Sequence, residues 1–185
     1  MTISKLTIAT LGALAFVATP AVAEQTATPT AQEQCRELRA SMVGTTFAQT
    51  FGTNANKKNA FGKCVAQRAS ATSEAKSEAR TNAAKECKAE QADTTSVPTF
   101  EETYGNRPNA YGKCVSTKAR AKTNETVEAQ LEATENAAKS CKADRKDDAE
   151  AFATAYGTKR NAFGKCVSAK AKAQQDEQEE STPAA

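Results

Sequence analysis

Two sets of residues in this chain could do chemistry: six cysteines, and the lysines and arginines around a hexapeptide written three times. The hexapeptide is NAFGKC at 59–64, NAYGKC at 109–114 and NAFGKC again at 161–166. The cysteines, Cys35, Cys64, Cys87, Cys114, Cys141 and Cys166, could bind metal, exchange electrons or crosslink the chain. There is no CxxC, no histidine anywhere, and neighbouring cysteines stand more than 20 residues apart. That spacing argues against a zinc site and against a thioredoxin-like redox pair. The first 23 residues read as an export signal, and an even number of cysteines in an exported chain reads as disulfides.

Six cysteines allow fifteen pairings. Pairing within each copy, Cys35 with Cys64, Cys87 with Cys114 and Cys141 with Cys166, treats three like units alike. The rival joins Cys64 to Cys87 and Cys114 to Cys141 across the linkers. If each linker is one straight helix, its cysteines lie roughly 35–40 Å apart at 1.5 Å per residue. No disulfide spans that distance, so the pairing within copies is expected.

The cations are unevenly placed. Windows 52–70, 105–122 and 157–173 hold no acid, yet they contain fourteen of the 24 basic residues found from residue 24 onward. The candidate anion-binding residues are Lys57, Lys58 and Lys63 in the first window, Arg107, Lys113 and Lys118 in the second, and Lys159, Arg160, Lys165 and Lys170 in the third. A polar basic loop, the first turn of the following helix and its lysine would together make an anion-accepting end. Three such ends on one chain could hold an anionic polymer by avidity. The competing reading is that NAFGKC recurs as a folding motif: asparagine caps, the aromatic packs, cysteine crosslinks and lysine is merely solvated.

Catalysis is not expected. Without histidine there is no Ser-His or Cys-His pair. Walker, GxSxG and GxGxxG motifs are missing too, and the acidic pairs Asp147-Asp148 and Glu101-Glu102 fall on polar helical surface, one copy of each. No cofactor or small-molecule substrate is expected.

These residues need elements to position them. The first 23 residues read as a secretory signal peptide: Lys5, an apolar stretch from Leu6 to Val17, and Ala21-Val22-Ala23 as a small-x-small cleavage site. The leader and the alanine-rich style look bacterial. After cleavage the chain carries 18 large apolar residues (Phe, Tyr, Leu, Val, Met), with no Ile or Trp. That is too few for one large core in the usual sense, so small units supplemented by disulfides are expected.

Self-similarity sets the units. Between 109–121 and 161–173, ten of thirteen positions are identical, and each copy carries two aromatics four apart followed by glycine: TFAQTFG, TFEETYG, AFATAYG. Aromatics at i and i+4 share a helix face, and the glycine ends the helix. The asparagine of NAFGKC is the expected N-cap of the next helix. TTSVP at 94–98 must interrupt a helix, whereas CKADRKDDAEAFATAYG could run as one.

The fold class expected is all-α, a tandem array of three disulfide-stapled helical units joined by long Ala/Glu/Lys-rich helices. By residue, the expectation is a disordered spacer at 24–34, repeat units at 35–70, 87–122 and 141–173, helical linkers at 71–86 and 123–140, and an acidic disordered tail at 174–185. The stripes Ala71-Ala75-Ala79-Ala83-Cys87 and Val127-Leu131-Thr134-Ala138-Cys141 suit a helix–helix contact, and an exposed spacer suits them nearly as well.

The function expected is non-enzymatic binding of an anionic cell-envelope polymer, lipid head groups or extracellular DNA without sequence preference, by a secreted or envelope-associated protein. The alternative is an extracellular helical spacer, structural or stress-related, with no ligand.

Overall fold

The structure, a computed structural model, describes residues 27–181. The signal-peptide reading falls on residues outside that range. Among the described residues there are seven helices and no strand: α1 (Ala31–Ser41), α2 (Thr46–Phe51), α3 (Ala60–Ala92), α4 (Phe100–Tyr104), α5 (Ala110–Asp147), α6 (Ala149–Tyr156) and α7 (Ala162–Ser181). All three disulfides form within copies: Cys35–Cys64, Cys87–Cys114 and Cys141–Cys166.

Cys87–Cys114 and Cys141–Cys166 each join the end of one long helix to the start of the next, and Cys35–Cys64 joins the short α1 to the start of α3, so the chain reverses at each bridge. Contacts farther along keep the same register. Cys87 meets Cys114 at one end of the α3/α5 pair, and Arg68 meets Thr134 near the other. The chain therefore runs as an antiparallel meander, α1 on α3, α3 on α5, α5 on α7, with the short aromatic helices α2, α4 and α6 in its three turns.

The linkers are thus not isolated spacers. Both stripes are buried, each against a different neighbour. Ala75, Ala79, Ala83 and Cys87 are buried on α3, with Ala79 and Ala83 clustered with Val115 and Ala119 of α5. Val127, Leu131, Thr134, Ala138 and Cys141 are buried on α5, where Val127, Leu131, Ala138 and Cys141 join a core shared with α1 and α7. Alternate turns of a meander share an end, so units 1 and 3 meet and unit 2 stands at the opposite end. One core runs through both partners, from Leu38, Phe47 and Phe51 through Leu131 to Phe152, Phe163 and Val167. The apolar cluster near unit 2 is only Ala79, Ala83, Ala119 and Val115.

Both expected disordered ends are partly helical. Residues 31–34 belong to α1, started by a capping box in which Thr30 and Glu33 satisfy each other's backbone N–H groups. Those bonds hold the Glu33 carboxyl below the usual range. Residues 174–181 continue α7. The stretch 141–157, which could have run as one helix, is broken at Asp148, whose side chain accepts from the Glu150 and Ala151 N–H groups and so starts α6.

Candidate functional site

The loops before α3 and α7 are held side by side at the shared end. Lys57 sits at φ 58° and reaches across. Its Nζ donates to Gly52 O at 2.8 Å and to Arg160 O at 2.7 Å, so one lysine satisfies a carbonyl from each repeat. Thr53, Thr158, Lys159, Arg160 and Asn161 line an open cleft of ≈ 470 Å³ between the two loops. Lys58, Lys63, Lys159, Arg160 and Lys165 are exposed at this end. Asp147 and Glu150 are exposed nearby in sequence, at the α5/α6 turn. Arg145 is exposed at this end but engaged, donating to Gln49 Oε1 at 3.1 Å and lying over the Phe163 ring at 5.0 Å.

Asn59 and Asn109 do not cap as expected. Asn59 has ψ 2°, not the extended backbone a side-chain cap requires, and no side chain caps α3. Asn59 ties its own loop instead, with Oδ1 accepting from the Thr53 N–H at 3.1 Å and Nδ2 donating to Thr53 Oγ1 at 2.7 Å. Asn109 likewise makes no cap bond to α5. The first turns of α3 and α5 therefore keep N–H groups that no side chain covers, which favours nearby anions.

Among the ten candidate cations, the structure separates two kinds. Lys58, Lys63, Arg107, Lys113, Lys159, Arg160 and Lys165 are exposed, and none is in a salt bridge among the described residues. Lys57 is bound to carbonyls. Lys118 pairs with Glu90 at 2.6 Å and Glu86 at 3.6 Å, and the Glu90 bond raises its pKa. Glu86 also takes Lys122 at 2.7 Å, and that bond draws its carboxyl below the usual range. Lys170 pairs with Asp144 at 2.6 Å and donates to Ser140 Oγ at 2.7 Å. A window free of acid in sequence is not free of it in space, because the preceding helix supplies Glu86, Glu90 or Asp144 across the hairpin.

The pattern behind this was readable in the repeats. Four residues after each second cysteine stands a cation, Arg68, Lys118 or Lys170, and one before and three after each first cysteine stand its partners. Those partners are Glu86 and Glu90 in unit 2 and Ser140 and Asp144 in unit 3. In unit 1 they are Gln34 and Leu38, so Arg68 has no carboxylate. Its Nη2 donates to Thr134 Oγ1 at 2.9 Å, while Nε and Nη1 are buried without a hydrogen-bond partner. Desolvation lowers its pKa.

A buried cation left without its counter-charge costs stability, and an apolar side chain of similar length does not. Arg68→Met is expected to stabilise the protein by about 1–3 kcal/mol, read as a higher urea midpoint at an unchanged slope. A lower midpoint would show that the Thr134 bond outweighs the desolvation.

Compared with known protein families, curated proteins and solved structures, the chain matches none of them. Among the described residues there is no cluster of three or more potential metal ligands, and no helix is long and apolar enough to cross a membrane.

Proposed function

We propose that this is an exported, non-enzymatic protein that binds anionic polymers or surfaces at the cell envelope, chiefly through the joined loops of units 1 and 3. The observation that carries this reading is the Lys57 bridge, which ties the loop that carries Lys58 in one repeat to the loop of another repeat whose Lys159 and Arg160 line the cleft between them. Two repeats then act as one larger positive site, where a single loop would bind weakly. The unit 2 end, with Arg107 and Lys113, is a second and weaker site. From Cys114 to Cys141 the bundle separates the ends by about 40 Å, so an extended polymer is needed to engage both.

No feature on this surface selects among wall polysaccharide, anionic lipid head groups and DNA, and the recognition proposed is of charge. The aromatics that could stack on bases are largely spent in the core: Phe47, Phe51, Phe152 and Phe163 are buried. DNA would be held by its phosphates without sequence preference.

The test is co-sedimentation of the oxidised protein with wall polysaccharide, DNA and acidic liposomes across a salt series. Lys159→Gln/Arg160→Gln is expected to weaken binding about tenfold, and Arg107→Gln/Lys113→Gln less. For DNA, the slope of log affinity against log salt should shrink by roughly 0.9 for each phosphate no longer neutralised. A ligand-free spacer, the reading favoured by the structural use of Lys57, Lys118 and Lys170, predicts no binding to any of these at low salt.

A further inference from the structure

Three equivalent aromatic turns are present, and only two of them cover each other. In units 1 and 3, Phe47 and Phe152 are 6% exposed and Phe163 is 3% exposed. The corresponding residues of unit 2 are half-buried Phe100 and Tyr104 and Tyr111 at 36%, with Val97 at 90% beside them in the preceding loop. Tyr111 is held flat by a bond from its hydroxyl to Ala84 O, so its ring is a fixed surface feature.

The contact between units 1 and 3 shows what covers such a turn. Gly164 on α7 lies directly on the backbone of α2: a Cβ there would stand 2.5 Å from Thr50 O. The contact uses one half from each partner, the glycine of unit 3 and the short helix of unit 1, because Gly62 faces open space. Unit 2 carries both halves. Gly112 also faces open space, and Thr103, the counterpart of Thr50, is exposed.

We propose that the unit 2 turn is a self-association surface whose occupant is the unit 2 turn of a second copy. A two-fold axis would place each copy's Gly112 on the other's Thr103, making twice the contact that units 1 and 3 make once, and closing the assembly at a dimer. The apolar patch is small, so the dimer is weak and concentration-dependent. Arg107 and Lys113 approach their own copies in it, as the cations of units 1 and 3 approach each other within one chain. Dimerisation therefore strengthens with salt, opposite to polymer binding. If the joined loops bind polymer as proposed above, the dimer presents two such ends facing away from each other and can bridge two strands; the dimer itself does not depend on that reading.

The experiment is sedimentation-equilibrium mass against concentration, at low and high salt, for the oxidised mature chain without any ligand. Gly112→Arg is placed beside Gly62→Arg; both add a side chain where nothing lies within 4 Å, in helical positions where arginine is favoured over glycine. The expected result is a mass rising toward twice the monomer, more readily at high salt, unchanged in Gly62→Arg and reduced to the monomer value in Gly112→Arg with no loss of thermal stability. Amine crosslinking should yield a Lys113–Lys113 peptide, which only two copies can form. A monomer at every concentration, an equal loss in both variants, or a homotypic crosslink at Lys165 in place of Lys113 would overturn the proposal.

Discussion

Reducing the three disulfides is expected to abolish cooperative unfolding of this protein at room temperature. The cystines close segments with separations of 29, 27 and 25 residues, one after another and none inside the next. Loop closure on that scale restricts the unfolded chain by about 3–4 kcal/mol each, or roughly 10 kcal/mol together. Domains of this size are stable by roughly 5–15 kcal/mol in total. The interior that remains leans on alanine: Ala75, Ala79 and Ala83 on α3, and Ala133, Ala137 and Ala138 on α5, bury little area each. In a thermal melt followed by circular dichroism, the oxidised protein should show one sharp transition. The reduced protein should show a shallow, sloping loss of residual helix, since α3 and α5 are long enough to retain some helicity alone. A reduced protein that still melts sharply within about 5 °C of the oxidised one would mean that the shared core suffices by itself.

Removing one bridge separates the two ends. Cys87→Ser/Cys114→Ser takes away the staple where the apolar cluster is smallest. Amides of α4 and of the adjoining turns of α3 and α5 should exchange faster, while those around Phe51, Leu131 and Phe163 keep their protection. Cys141→Ser/Cys166→Ser acts inside the shared core, so its effect should spread to both unit 1 and unit 3.

The cystine pairing, the three glycine-ended aromatic helices and the helical linkers were legible because each rests on local chemistry or on reach. Gly105 and Gly157 take positive φ of 89° and 87°, as a helix-ending glycine can. Gly52 does not: it is buried, and a Cβ there would meet Ala48 O at 2.5 Å. The packing of the linkers is ambiguous in sequence because an alanine stripe suits a weak contact and a solvated helix nearly alike. The cystines could have settled it, since a bridge between the end of one long helix and the start of the next makes a hairpin, and a series of hairpins brings odd-numbered turns to one end. Two capping boxes, Thr30 with Glu33 and Thr99 with Glu102, were also present as S/T-x-x-E and mark the true starts of α1 and α4.

For the candidate site, the types of residue were legible and their state was not. Lysine count along the chain does not reveal that Glu86, Glu90 and Asp144 arrive from the neighbouring helix to neutralise Lys118 and Lys170. Nor does it reveal that Lys57 is consumed in joining two loops. What remains after those pairings is a joined site at one end and a lone repeat at the other. The difference between them is made by packing between repeats, which three hexapeptides differing only in Tyr111 for phenylalanine cannot encode by themselves.

That difference gives the second large effect, because one substitution made at three equivalent positions should change sign. Gly62, Gly112 and Gly164 each occupy the third residue of a long helix. At Gly62 and Gly112 a Cβ meets nothing within 4 Å. Alanine there should stabilise by about 0.5–1 kcal/mol, because glycine loses more backbone freedom on entering a helix. At Gly164 the same methyl group would stand 2.5 Å from Thr50 O and 3.5 Å from its carbon. Backbone cannot swing aside as a side chain can, so α2 must shift away from α7, at a cost of about 1–3 kcal/mol that overrides the helix gain. Urea midpoints of the three alanine variants should rank Gly62→Ala and Gly112→Ala above the parent and Gly164→Ala below it. Because α2 leads directly into the loop that Lys57 ties to Arg160, Gly164→Ala should also weaken polymer binding at the joined end, where Gly62→Ala leaves it unchanged. Three variants of equal stability would mean that units 1 and 3 do not touch through this glycine, and the joined site would lose its structural basis.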